Sequence, residues 1–225
     1  LIYGIELWSG DSTGLEAARR DGIEIITVDI ESKFNPTICD DILNVTSEQL
    51  LELCDGKRPF IVWASPDCSV FSVAALGANH FDLIRGVHVP KSPKALEMIE
   101  RHKHTCKLIE ELNPVYFVIE NPVGLLRFMP WMKQYHRDTV TYCQYGDFRM
   151  KPTDLWGGFP LTWQPRPTCR NGDDCHEASP RGSPTGTESL SQRERSHIPF
   201  ELSQEIWDHC KRSQRHRRQT LEDWL

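Results

Sequence analysis

Two short apolar runs in this chain each end in a residue able to do covalent or proton chemistry. Cys68 stands in Ser65-Pro66-Asp67-Cys68-Ser69 behind the run 60–64, and Glu120 opens Glu120-Asn121-Pro122 behind the run 116–119. A thiolate in such a turn is a soft nucleophile, and the N–H groups of a following helix would favour it. A partly buried carboxyl group has a raised pKa and can donate a proton. Taken singly, each has a plainer reading, a half-buried structural thiol and a solvated strand end. A third stretch, Leu7-Trp8-Ser9-Gly10-Asp11-Ser12-Thr13-Gly14, puts small residues between a strand and a helix. There the backbone can approach a ligand and free N–H groups can meet a carboxylate or phosphate. The spacing is not GxGxxG, which disfavours a dinucleotide. Asp29 ends the next strand, where an acidic side chain suits ribose hydroxyls.

The elements that must position these residues alternate. Strands are expected at 2–8, 24–30, 60–64, 115–120 and 139–145, and helices at 12–20, 47–54 and 92–112. The runs 60–63 and 116–119 are continuously apolar, as in central strands covered on both faces. Such a pattern predicts an α/β fold with a mostly parallel sheet, whose ligands sit beyond the C-terminal strand ends. The stretch 151–195 is rich in Pro, Gly, Ser, Thr, Asp and Arg and reads as irregular loop. Ser196 and Pro199 read as the start of a last helix, with Leu202, Ile206, Trp207 and Cys210 at helical spacing.

With 225 residues, the chain is long enough for one ordinary domain with a small appendage. Its net charge of −6 excludes binding to polyanions through bulk charge, though not through a local basic groove. No apolar run reaches a membrane span and no signal peptide opens the chain, so a soluble, cytoplasmic protein with no membrane partner is expected. The chain begins at Leu1 rather than Met, and a few residues are expected to precede it. Eight cysteines spread over most of the sequence suggest reduced thiols.

Taken in order, Leu7-Trp8-Ser9-Gly10, Val28-Asp29-Ile30, Cys39-Asp40-Asp41-Ile42, Ser65-Pro66-Asp67-Cys68 and Glu120-Asn121-Pro122 resemble the motif series of cytosine-C5 DNA methyltransferases. With Thr141-Tyr142-Cys143-Gln144-Tyr145-Gly146 and Lys151-Pro152-Thr153-Asp154-Leu155-Trp156, the chain looks most like the short, phage-encoded branch. The resemblance implies a Rossmann-like S-adenosylmethionine-dependent methyltransferase fold, with helices on both faces and a small irregular C-terminal segment. It implies that Trp8, Ser9, Gly10, Asp11, Ser12 and Thr13 hold the methionine part of S-adenosylmethionine and Asp29 its ribose. Ile30 would lie on the adenine face, Asp41 and Ile42 at its edge, with Pro66 beside the cofactor. Cys68 would add to C6 of a flipped-out cytosine in duplex DNA while Glu120 meets N3. Arg149 or Lys151 would replace a basic side chain of the larger enzymes, and the segment from Phe71 to about His88 would form a flexible cover. Ser69 and Asn121 would face the nucleic acid. The family has Pro where this chain has Asp67, whose charge beside the thiol would raise its pKa unless directed away.

The stretch after Tyr145 is too short for a large recognition domain, so readout is expected to be short or lax. Arg181, Arg193 and Arg195 are candidate DNA contacts, and the basic run from Lys211 to Arg218 either grips phosphates or is a solvated end. Cys169, Cys175 and His176, with Cys143 as a fourth group, either bind zinc or are ordinary loop residues. The expected division is a catalytic domain at 1–160, a loop-rich DNA-contact segment at 161–197 and a C-terminal helix and tail at 198–225. A monomer in the cytoplasm of a bacterial host is expected. The same chemistry on RNA, transfer of a substituted methyl group, and a catalytically silent binding module are the alternatives.

Overall fold

The computed structural model describes all residues except 74, 76–79, 161, 171, 178–189 and 223–225, with backbone alone at 192 and 215–222. Arg181 therefore lies outside the described residues, as do the side chains of Arg215, Arg217 and Arg218. A seven-stranded sheet runs in the order β3-β2-β1-β4-β7-β9-β8. Its strands are β1 (Tyr3–Leu7), β2 (Glu24–Asp29), β3 (Ile38–Cys39), β4 (Ile61–Ala64), β7 (Tyr116–Pro122), β8 (His136–Thr141) and β9 (Pro152–Gly158). The first five in that order are parallel, and β9 runs antiparallel to both β7 and β8. With helices packed on both faces, this is the Rossmann-like fold expected of the sequence.

Apolar side chains split the sheet into two cores. Ile5, Leu7, Val62, Ala64 and Ile119 face α2 (Ser47–Leu53) and α3 (Pro93–Leu112). Ile61, Trp63, Tyr116 and Val118 face α1 (Glu16–Arg20) and α5 (Phe200–Glu222). Helix α3 begins at a Ser92 cap that accepts from the Ala95 amide, and Pro93 stands in its first turn, where a missing N–H costs nothing. α5 docks on both ends of α1: Ser203 Oγ donates to the Gly14 carbonyl in the turn before it at 2.8 Å and Trp207 Nε1 to Asp21 at its end at 2.7 Å.

Several boundaries differ from expectation. The helix expected at 12–20 shrinks to Glu16–Arg20 because the turn before it extends through Leu15. The strand expected at 139–145 is displaced to His136–Thr141, and Tyr142–Tyr145 forms one 3₁₀ turn. Ser196 ends a short helix, α4 (Gln192–Ser196), rather than starting the last one. β9 lies inside the stretch read as loop. Its Asp154 is wholly buried, and Arg127 Nη2 and Thr139 Oγ1 donate to its carboxylate at 2.8 and 2.7 Å. The expected cover after Cys68 contains a hairpin of β5 (Phe81–Ile84) and β6 (Val87–Pro90), turned by Arg85 and Gly86, both at positive φ.

Glu6 on β1 is buried, and its carboxyl is pushed up to about 7 by burial, although Ser12 Oγ and the Gly14 amide donate to it. Its folded pKa exceeds its ordinary 4.5, so its contribution to stability is full below about pH 4.5 and is lost as pH rises through 7. The loss is on the order of 3 kcal/mol. Urea unfolding of Glu6→Gln at pH 5 and pH 8 should lack this component, and a parent-like fall between the two would contradict it.

Candidate active site

Register sets the centre of the site. Ala64 pairs with Ile119 as the last pair of β4 with β7, so Glu120 follows one residue beyond it, in the part of β7 that pairs only with β9, and the Cys68 turn leaves the neighbouring β4. Asn121, wholly buried, donates from Nδ2 to the Pro66 carbonyl at 2.7 Å and ties that turn to β7, while its Oδ1 has no partner. From the other side His102 of α3 donates through Nε2 to the Asp67 carbonyl at 3.1 Å, and its ring packs edge-on against Phe71 at 4.7 Å. Burial holds His102 down to about 4, so it stays neutral and keeps one N–H for this bond.

Directly after Cys68 the described residues form a turn rather than the expected helix. The chain makes a turn in which the Phe71 and Ser72 amides donate back to the Cys68 carbonyl at 3.0 and 2.9 Å. Cys68 is half-buried, and its thiol is pushed up to about 11, first by burial and then by the charges of Glu120 and Asp67, with Lys151 opposing. The carboxylate of Asp67 accepts from the Ser69 amide at 2.6 Å, which makes it a cap of the turn. Ser69 Oγ is buried without a partner.

Glu120 is 5% exposed and accepts from Tyr142 Oη at 2.8 Å, with Lys151 Nζ at 3.8 Å. Lys151 is equally buried, sits 4.4 Å over the Tyr142 ring and has its pKa lowered by desolvation. The two basic residues considered for the site therefore separate. Lys151 faces Glu120, whereas Arg149 is held by Asp147 and donates to the Glu194 carbonyl at 2.5 Å.

The turn after β1 carries Trp8 and Ser12 at positive φ, 59° and 55°, strained values for residues with a side chain. Trp8 Nε1 donates to Thr105 Oγ1 of α3 at 3.0 Å, and the Gly10 amide donates to Asp29 at 2.8 Å. Trp8, Asp29, Ile30, Asp41 and Ile42 line one cleft of about 120 Å³, together with Asp67, Met98 and Arg101. Asp41 is engaged there by Arg101, which keeps its carboxyl below the usual carboxylate range, and by the Leu43 amide at 3.1 Å. Ser9, buried, donates its amide to the Val28 carbonyl. Ser12 is bound to Glu6 and Arg19, and Thr13 Oγ1 accepts from the Ile198 amide at 3.1 Å. Asp11 and Thr13 line a second, open cleft of about 760 Å³, with Arg149, Arg193, His197 and Pro199 among its other walls. Arg193, a candidate DNA contact, is paired to Asp11 at 2.6 Å, and Arg195 is exposed.

No family model and no curated protein matches this chain. Solved structures do resemble it in part. A prophage-encoded E. coli protein described as a DNA modification methyltransferase is 16% identical over 70% of this chain and 46% of its own, with a TM-score of 0.49. The S. pombe Dnmt2 methyltransferase is 13% identical over 69% and 48%, with a TM-score of 0.44. A triple mutant of Spodoptera frugiperda DNMT2 is 18% identical over 72% and 52%, with a TM-score of 0.43. The chain spans about half the length of each. Among the described residues no helix is long and apolar enough to cross a membrane.

Sequence reasoning missed His102, Tyr142 and Gly124 as parts of this centre. Tyr142 stands inside a quoted motif and Gly124 just after one, but the contacts that define them span the fold. At Gly124 an added Cβ would lie 2.0 Å from the Phe71 carbonyl oxygen, which the Leu125 amide reaches at 2.6 Å. Gly124→Ala should break this latch and destabilise the protein by about 1–3 kcal/mol. The urea midpoint should fall while alkylation of Cys68, followed by peptide mass spectrometry, accelerates; unchanged alkylation would show that the latch does not hold the turn.

Proposed function

We propose that this chain transfers a methyl group from S-adenosylmethionine to C5 of a cytosine in DNA, through a covalent adduct on Cys68. The observation that carries the reading is that Cys68, in the turn after β4, and Glu120, on β7 just past its last pair with β4, are near enough for the Glu120 charge to act on the thiol, at the same end of the sheet as the cleft of Trp8, Asp29 and Ile30. That cleft suits an adenosine. Ile30 offers an exposed apolar face, each Asp29 oxygen keeps a lone pair beyond its amide bond, and the space a Cβ would fill at Gly10 is open.

The cofactor, when bound, supplies an electrophilic methyl group. Cys68 adds to C6 as the thiolate, Glu120 as the carboxylic acid gives a proton to N3 and so neutralises the charge that develops there, and C5, now the nucleophilic carbon of an enamine, accepts the methyl. Loss of the C5 proton and β-elimination then release Cys68. Lys151, beside Glu120, favours the thiolate through its charge. Because C5 and C6 are stacked inside a duplex, the base must be flipped out or presented single-stranded.

The test is mass spectrometry of nucleosides from duplex DNA incubated with protein and S-adenosylmethionine. 5-Methyldeoxycytidine is expected. Methylated cytidine from tRNA, with none from DNA, would move the substrate to RNA, and no product on either polymer would overturn the reading.

A further inference from the structure

Away from the Cys68 centre, Cys143, Cys169, Cys175 and His176 converge, their ligand atoms all within 4.8 Å of one another. Three come from an irregular loop, Cys169 and the adjacent pair Cys175 and His176, and Cys143 comes from the 3₁₀ turn after β8, so chain proximity alone does not gather them. Cys175 Sγ lies 3.7 Å from Cys143 Sγ, and His176 Nδ1 lies 3.5 and 3.7 Å from the sulfurs of Cys175 and Cys169. A tetrahedral zinc ion would set S···S edges of about 3.8 Å and S···N edges of about 3.6 Å. Three of these contacts match. The fourth, Cys143 to Cys169 at 3.0 Å, is too long for a disulfide, and an ion between the sulfurs would widen it.

The surroundings are those of a metal site. His176 turns Nδ1 toward the sulfurs, while its Nε2 is buried with no partner. Gln144 Nε2 donates to Cys175 Sγ at 3.3 Å, a bond that supports a metal-bound thiolate. Three sulfurs and one imidazole nitrogen fill a tetrahedron and leave no open position, which is the pattern of a structural zinc rather than a catalytic one.

The cluster also reaches the active site through the backbone. Cys143 follows Tyr142, the donor to Glu120, and the amide of Glu177, next to His176, donates to the Phe148 carbonyl at 2.9 Å. The stretch that brings Tyr142 and Lys151 to Glu120 is thereby fastened to the loop carrying the cluster at Cys143 and at Phe148.

We propose that Cys143, Cys169, Cys175 and His176 bind one zinc ion, and that this ion holds the segment carrying Tyr142 and Lys151 against Glu120. Any effect on turnover rests on the methyl-transfer reading; metal content and backbone protection do not.

Elemental analysis of protein freed of any affinity tag should find about one zinc per chain. Cys175→Ser and His176→Ala should each lose it on dialysis against a mild chelator that leaves the parent loaded. Cobalt substitution of the parent should give a thiolate-to-metal charge-transfer band, a readout that does not depend on a variant folding. Hydrogen exchange at residues 142–151 should accelerate at least about tenfold when zinc is stripped and slow again when it is restored. Metal-free parent protein, or variants that retain zinc, would overturn the site. A thiol titration short by two in metal-free protein would overturn it in favour of a Cys143–Cys169 disulfide. Unchanged exchange on removal would overturn the holding role.

Discussion

Cys68→Ala is expected to leave no measurable transfer to DNA, a loss on the order of 10³-fold or more, while S-adenosylmethionine binds with unchanged affinity. The two effects separate because Cys68 is not among the residues that line the cleft of Trp8, Asp29 and Ile30. No other group in the proposed reaction can form the bond to C6, so the covalent adduct must vanish with the thiol. The same residue sets a pH signature. With its thiol pushed up to about 11, about one molecule in 10⁴ carries the thiolate at pH 7. Alkylation of Cys68, read by peptide mass spectrometry, should rise about tenfold per pH unit through the neutral range. Asp67→Asn removes a charge that raises this pKa and should speed alkylation, whereas Lys151→Met removes the charge that lowers it and should slow it. Residual turnover by Cys68→Ala would exclude the covalent route.

The residues behind these expectations were unequally legible. β4 and β7 stand out because both faces of a central strand are buried, which leaves a continuous apolar run that no surface strand has. α3 stands out through its cap and its length. β9 hid because its stability is not written locally. It opens with Pro152 and ends in Gly157 and Gly158, and its central Asp154 is neutralised by Arg127, 27 residues away. The β5–β6 hairpin did carry a signal, two short runs separated by Arg85-Gly86, and reading that stretch as a cover obscured it.

Site residues divide in the same way. The end of an apolar run can be found from a sequence, and this located Asp29, Cys68 and Glu120, although β7 itself continues past Glu120 to Pro122 on its pairing with β9. What a side chain at that edge binds depends on elements distant in the chain. Arg149 and Lys151 are equivalent in sequence, but one meets Asp147 and the other Glu120. His102 reads as one more polar residue on a long helix until Asp67 is seen to lean on it. Asp67 itself, an anomaly as a charge beside a thiol, is accounted for as the residue that caps its own turn.

Glu120→Gln is expected to lower transfer by about 10²- to 10⁴-fold, the usual worth of a positioned proton donor. The amide keeps the size of the side chain and an oxygen to accept from Tyr142 Oη, so the fold and the cofactor cleft should be unaltered. It removes the carboxyl that meets N3, and it also removes a negative charge that holds the Cys68 thiol up. Two measurements should therefore move in opposite directions. Methyl transfer falls, while alkylation of Cys68 at fixed pH accelerates, because the thiolate is easier to form beside Lys151 alone. A substitution that merely loosened the site would speed alkylation too, but its urea midpoint would drop with it, whereas Glu120→Gln should retain the parental midpoint. If transfer persisted, the charge at N3 would have to be met by Lys151, the nearest cation to Glu120 in this centre, and Lys151→Met would then carry the larger loss.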